Sequence, residues 1–144
     1  MYKNGDKTYY DWIDYGYDMK QVKDFEFDHV VGIYRGSLPM AVHISNVFEV
    51  PMSIVGFQTR DGKDTEPYMI HKAGEAPEKV LVVDDIYDSG YTMTEVIKML
   101  PHYATYSIEG FCLFGKENKL NVSYANEHDG SWIVFPWETL NEPV

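Results

Sequence analysis

The chain has 144 residues, 12 Lys+Arg against 23 Asp+Glu for a formal charge of -11, one cysteine and 15% aromatic residues. That length suits one domain, residues 1–144, with a core of its own, and 44% hydrophobic with 24% charged residues describes a globular rather than a disordered chain. A single cysteine excludes an intrachain disulfide or a cysteine-based zinc cluster and fits a reducing, cytoplasmic setting. No apolar run is long enough to span a membrane, the opening MYKNGDKTYYDW lacks the apolar core of a signal peptide, and the acidic balance speaks against nucleic acid as a partner.

Residues 8–24 carry Trp12, Tyr15, Met19 and Val22 at helical spacing, which predicts an amphipathic helix. The apolar run from His29 to Tyr34 predicts a buried strand stopped by Arg35-Gly36-Ser37. Residues 39–47 suit a helix with Pro39 in its first turn, and Met52 to Phe57 a second strand. The polar stretch 59–66, with Asp61-Gly62 as a turn signal, reads as a mobile loop. Val80 to Val83 is the clearest strand and ends at Asp84-Asp85; a helix then runs from about Thr92 to Leu100, before Pro101. Ile108–Phe114 and Val122–Ala125 follow as strands, and residues 126–144 end in an aromatic segment placed over the sheet's ligand edge or on a partner subunit. Strands alternating with helices point to an α/β fold with a mostly parallel, doubly wound sheet.

The chemistry concentrates in VLVVDDIYDSGYT, residues 80–92. Four apolar residues bury a strand, and two carboxylates stand where its C-terminal edge opens, which is where open α/β sheets bind ligands. The turn Asp88-Ser89-Gly90-Tyr91-Thr92 leads into a helix N-terminus, whose unpaired N–H groups and positive dipole end attract phosphate. The Ser89 and Thr92 hydroxyls add donors, and Gly90 allows a close backbone approach. Asp88 and Ser89 alone would be an ordinary helix cap, and Asp84-Asp85 alone a solvated pair. Together they fit a sugar phosphate with a diol, its hydroxyls given to the carboxylates and a divalent cation bridging them.

This run resembles the phosphoribosyl-pyrophosphate (PRPP) binding motif of type I phosphoribosyltransferases: four apolar residues, two acids, two variable residues, then Asp-Ser/Thr-Gly-x-Thr. Tyr34-Arg35-Gly36-Ser37-Leu38-Pro39 is similar to the family's pyrophosphate loop, and Lys116 stands where purine-using members carry a base-contacting lysine. Trp132-Ile133-x-x-Pro136-Trp137-Glu138 resembles the C-terminal segment of the bacterial xanthine-guanine branch. The resemblance implies a single type I phosphoribosyltransferase domain with a lid at about 59–66 and a C-terminal hood at about 126–144. It implies transfer of 5-phosphoribosyl from PRPP to guanine, xanthine or hypoxanthine, with Mg2+, in a homo-oligomer, a dimer or a tetramer. Asp84 and Asp85 would approach the ribose hydroxyls, Asp85 also the magnesium. Ser89, Gly90, Tyr91 and Thr92 would cradle the 5′-phosphate, and Asp88 would relay the purine N7 proton. Arg35, Gly36 and Ser37 would hold pyrophosphate, the family often using a cis peptide there. Lys116 would donate to the 6-oxo group, Trp132 would stack on the base, and Ile133 and Glu138 would read its 2-position edge.

The departures are local. Gln58-Thr59-Arg60 replaces the family's lid Ser-Tyr pair, leaving Arg60 or Lys63 as lid cations; Ser37 replaces a common glycine; the segment after Trp137 is short. The five histidines lack metal-ligand spacing, and Cys112 reads as a buried small hydrophobe. Tyr9, Tyr10 and Trp12 are candidates for a subunit contact. A non-catalytic PRPP- or nucleotide-binding homologue is the competing reading. A receiver-like phosphoacceptor domain is not supported, because the first strand ends without acids.

Overall fold

A computed structural model describes residues 1–60, 62–71, 78–102 and 107–140, without the side chains of 58–60, 63–65 and 102. Its main sheet has six strands in the order β5-β4-β3-β6-β7-β8. They are β3 (His29–Ile33), β4 (Met52–Arg60), β5 (Lys63–His71), β6 (Lys79–Ile86), β7 (Ser107–Gly115) and β8 (Ser123–Glu127). All pairings are parallel except β4 with β5, so the expected mostly parallel α/β sheet is present. A second sheet, β1-β2-β9, joins Tyr2–Asn4 and Lys7–Tyr9 to Trp132–Val134. No helix among the described residues is long and apolar enough to cross a membrane.

The core follows from strand alternation. Val30, Leu81, Val83, Phe111 and Leu113 face one side, against Met40, Ala41 and Ile44 of helix α2 (Leu38–Phe48). Val31, Ile33, Val80, Val82 and Cys112 face the other, against Met93 and Val96 of helix α3 (Tyr91–Met99). Residues 80–83 are buried throughout because helices cover both faces, so the strand reads as an unbroken apolar run. Each such side chain contributes roughly 1.5–3 kcal/mol of transfer free energy. Cys112 is fully buried, as expected of a small hydrophobe.

The N-terminus differs from expectation. Thr8 and Tyr9 lie in β2, and helix α1 covers only Trp12–Asp18 before a 3-10 turn over Met19–Asp24. Asp11 and Asp14 start α1 reciprocally: the Asp11 carboxylate accepts from Asp14 N at 2.8 Å, and Asp14 accepts from Asp11 N at 3.0 Å. Of the four residues at helical spacing, Tyr15, Met19 and Val22 are buried, whereas Trp12 is 55% exposed. Tyr10 is no subunit-contact residue: it is buried within the chain, its hydroxyl donating to Asp18 at 2.7 Å.

Three other boundaries move. In the stretch 59–66 the described residues are mostly not a loop: 59–60 end β4 and 63–66 begin β5, the two strands pairing antiparallel, with Gly62 at φ 74 and bulges on the way. Pairing satisfies that polar backbone, and Pro67 is tolerated because β5 is an edge strand. β6 does not stop at Asp84 but runs through Asp85 to Ile86, since Asp84 and Ile86 pair with Cys112 and Phe114. Of the stretch 126–144, residues 126 and 127 belong to β8, and strand β9 is completed by β2 from the N-terminus. Asp61 and residues 141–144 lie outside the described residues.

Candidate active site

The chain leaves β3 for β4 on one side of the sheet and reaches β6, β7 and β8 on the other. β3 and β6 are neighbours, Gly32 opposite Val83, so the loops at their C-terminal ends open a crevice between them. Arg35, Gly36 and Ser37 follow β3; Asp84 and Asp85 are the end of β6; Asp88 to Thr92 link it to α3; Lys116 follows β7. The main sheet thus gathers four of the sequence-predicted groups along one edge.

At the β3 end, the Tyr34–Arg35 peptide is cis, and Tyr34 N donates to Val55 O at 2.7 Å. Ser37 is fully buried, and its hydroxyl both accepts from Ile33 N and donates to Ile33 O, each at 2.5 Å. That hydroxyl closes the loop onto the strand. Gly36 is held by contact: a Cβ there would fall on Asp85 Oδ2. A larger residue here would displace the Asp85 carboxylate.

Asp84 and Asp85 are half-buried, and each accepts from the next residue's N–H, Asp85 N at 2.9 Å and Ile86 N at 2.8 Å. Burial, and then the negative charge of Asp85, push the Asp84 carboxyl well above the usual carboxylate range. Among the described residues no cation pairs with either acid, and no group of three or more His, Cys, Asp or Glu could cage a metal. Two uncompensated carboxylates at a crevice are a donor set for a hard divalent cation that takes its other ligands from water and substrate oxygens.

Helix α3 starts at Gly90, φ 83, with no side chain capping it. Ser89 Oγ accepts from Tyr91 N at 3.3 Å, and Thr94 N closes the first turn on Gly90 O at 2.9 Å. The remaining first-turn donors face the Asp88–Gly90 turn, which is the arrangement that receives an anion. Asp88 and Ser89 are exposed, and Thr92 is half-buried. Arg35 and Lys116 are exposed, and neither has an acid partner among the described residues. Both stand at loops that follow strands of the main sheet, Arg35 after β3 and Lys116 after β7. The side chains of the lid cations Arg60 and Lys63 lie outside the described residues.

The residues expected on the base side lie in and after the last strand of the small sheet. Trp132 is 68% exposed at the start of β9, its N–H donating to Asp6 O at 2.9 Å. Ile133 is buried and pairs with Thr8 of β2. Phe135 packs edge-on against Phe114 at 6.0 Å, which seats the small sheet over the end of β7. Glu138 is exposed, but its Oε1 accepts from Phe135 N at 3.1 Å, so one carboxylate oxygen serves its own turn.

Several residues that organise this site were not singled out from the sequence. Asn118 holds the turn after Lys116: Nδ2 donates to Lys116 O and Val122 O at 2.9 and 3.0 Å, and Oδ1 accepts from Leu120 N and Val122 N at 3.1 and 2.9 Å. A polar Asn between strands is the local signal for such a turn. Buried Asp18 accepts from Tyr10 and from Asn126 Nδ2, both at 2.7 Å, tying the N-terminal segment to β8. Nothing local signals that triad, because Asn126 lies 108 residues from Asp18.

A family model described as phosphoribosyl transferase domain matches residues 11–142. The chain is 31% identical over 123 residues to xanthine-guanine phosphoribosyltransferase of Gluconobacter oxydans, covering 78% of this chain and 70% of that one. It is 28% identical over 120 residues to the enzyme of the same name from Cereibacter sphaeroides, covering 76% and 68%. Its fold is similar to the crystal structure of purine phosphoribosyltransferase from Pyrococcus horikoshii, with a TM-score of 0.78, 24% identity and coverage of 96% and 98%.

Proposed function

The chain belongs to the phosphoribosyl transferase domain family, and on that premise we propose that it transfers 5-phosphoribosyl from PRPP to a 6-oxopurine base. Guanine, xanthine or hypoxanthine would become the nucleoside monophosphate, with pyrophosphate released, as a step of cytoplasmic purine salvage. The purine assignment draws on the names of the relatives and on the resemblance of Lys116 and Trp132 to the family's base-contacting residues. One observation carries the reading: the acid pair of β6, the uncapped N-terminus of α3 and the unpaired Arg35 open on the same crevice.

The residues divide the work by charge. The α3 N-terminus, with Ser89 and Thr92, holds the 5′-phosphate and so fixes the ribose. Asp84 and Asp85 accept from the ribose hydroxyls. Arg35 and the N–H groups around Gly36 receive the negative charge that grows on the departing pyrophosphate, where preorganised donors act most strongly. Asp88 accepts the N7 proton, which strengthens the attacking purine nitrogen as the glycosidic bond forms. Lys116 and Trp132 orient the base, and the β4–β5 hairpin is the element placed to exclude water.

Asp85, beside Asp84, would hold the magnesium; the ion supplies positive charge to a substrate that the acidic chain would otherwise repel. The two uncompensated carboxylates suit that role. Ile13, Tyr17, Val42 and Val47 on α1 and α2 are exposed apolar side chains that assembly into a dimer or tetramer would cover.

Steady-state kinetics with the purine bases, orotate and uracil at fixed PRPP and magnesium test the reading. Turnover with 6-oxopurines alone is expected; PRPP binding without turnover on any base would favour the non-catalytic homologue. Excess EDTA should abolish turnover and added magnesium restore it. Undiminished turnover in EDTA would contradict the scheme.

A further inference from the structure

His128 follows β8, is half-buried, and takes no part in the roles above. Its backbone N–H donates to Gly115 O, at the last residue of β7, over 2.7 Å. Its ring stands edge-on to Phe114, with centroids 6.4 Å apart and planes at 74°. Its Nε2 is 3.0 Å from Ser131 O. A carbonyl oxygen only accepts, so the ring carries its hydrogen on Nε2 and donates. One residue therefore bonds the backbone just before Lys116 and the backbone just before Trp132.

The turn from His128 to Ser131 closes without the ring. Gly130 takes φ 89, and Ser131 N donates to Asp129 Oδ1 at 2.9 Å. A turn of that kind needs no imidazole. What the ring adds is a link across elements. Trp132 begins β9, whose ladder partner is β2 in the small sheet, whereas Lys116 follows β7 in the main sheet. No ladder joins the two sheets among the described residues. At 68% exposure the Trp132 ring gains little packing to fix its direction, so its aim depends on the backbone that carries it. Ser131 anchors that backbone: its hydroxyl meets Thr8 Oγ1 at 2.7 Å, its N–H meets Asp129, and its carbonyl meets His128. Of these three partners, His128 is the one bonded in turn to the end of β7.

We propose that His128 is a positioning residue for the purine base, its imidazole holding Trp132 at a fixed separation from Lys116. The inference rests on the reading of those two residues as base contacts and adds what keeps them in register. A base met by an aromatic face on one element and a cation on another binds well only when both are held in place. The phosphoribosyl end is bound by other elements, β6 and α3. Loss of the imidazole is therefore expected in KM for the base and not in KM for PRPP.

The test uses the full chain with His128→Ala and with His128→Gln, whose amide nitrogen can donate in place of Nε2. His128→Ala should raise KM for the 6-oxopurine base about tenfold, while KM for PRPP and the affinity for ribose 5-phosphate stay within about twofold of wild type. His128→Gln should recover most of that loss. In a Trp132→Ala background the effect of His128→Ala should shrink below about twofold, because the ring acts through the tryptophan. An unchanged KM for the base in His128→Ala, an equal rise in both KM values, no recovery in His128→Gln, or full additivity with Trp132→Ala would each overturn the inference and leave the base-site reading standing. A wild type that turns over no 6-oxopurine would overturn that reading, and the inference with it.

Discussion

Asp88 is exposed in a turn whose neighbours fix its backbone, so its carboxylate is available to a base approaching from the crevice. Asp88→Asn keeps shape and removes proton affinity. Turnover is expected to fall by about a hundredfold, within the range for losing a general base, with the affinity for PRPP preserved in direct binding measurements. Full activity in that variant would remove Asp88 from the mechanism. Trp132 tests the opposite side of the site. At 68% exposure it adds little to the core, so Trp132→Ala should leave the melting temperature nearly unchanged. It should raise KM for the base by about tenfold, the scale of one lost stacking contact, and leave KM for PRPP alone. An unchanged KM for the base would count against stacking. Both expectations come from residues 80–92 and 132–138, where neighbours in sequence carry the pattern. The double duty of Ser37 was not legible in sequence, because the bond of its hydroxyl to the Ile33 backbone depends on how the loop turns back.

Among the elements, β9 carries Trp132, the residue proposed to stack on the base, and has one ladder partner, β2, with Lys7, Thr8 and Tyr9 opposite Trp132, Ile133 and Val134. Trp132 N bonds Asp6 O and Tyr10 N bonds Val134 O, at 2.9 and 3.0 Å, and the Thr8 and Ser131 hydroxyls meet at 2.7 Å. The first ten residues thus position a tryptophan that lies far along the chain. Removing residues 1–9 should raise KM for the base by at least about tenfold while ribose 5-phosphate still binds, because its site is built from β6 and α3. Equal loss of both affinities would show that the segment supports the whole fold instead. This dependence is the part least visible in sequence. Short polar strands such as KNG and KTY carry little periodicity, and their strand state is created by the partner they meet. The same reason hid the β4–β5 hairpin: polar residues 59–66 read as a loop until cross-strand pairing satisfies their backbone.

For the whole molecule, buried phenols set a limit at high pH. Burial, and then the hydrogen bond and charge of Asp18, push Tyr10 far above its ordinary 10.0, and burial raises Tyr15 likewise. Above pH about 10 the unfolded chain releases protons that the folded chain retains, so the unfolded state binds fewer protons and stability falls as pH rises. Denaturant titrations should show stability declining above that pH, and the tyrosinate absorbance of the folded protein should fall short of that expected for 12 tyrosines until unfolding. Tyr10→Phe should flatten the decline and cost about 1–3 kcal/mol at neutral pH, because Asp18 loses one of its two donors. An unchanged slope would place the buried protons elsewhere. The charge of -11 acts at this scale too. It opposes association with polyanions in general, while Arg35 and Lys116 have no acid partner among the described residues.

The sequence by itself determined the covered strands, the acid pair at the end of β6, the small-residue turn before α3 and the family they belong to. Each is a local pattern: a buried strand is apolar throughout, and an anion-binding turn needs small residues next to a helix start. Only the tertiary structure decided what completes the site. It set Gly36 against Asp85, Asp18 between Tyr10 and Asn126, and β2 beside β9. These contacts join residues whose separation in the chain carries no periodic signal, and burial of the surrounding apolar surface is what brings them together.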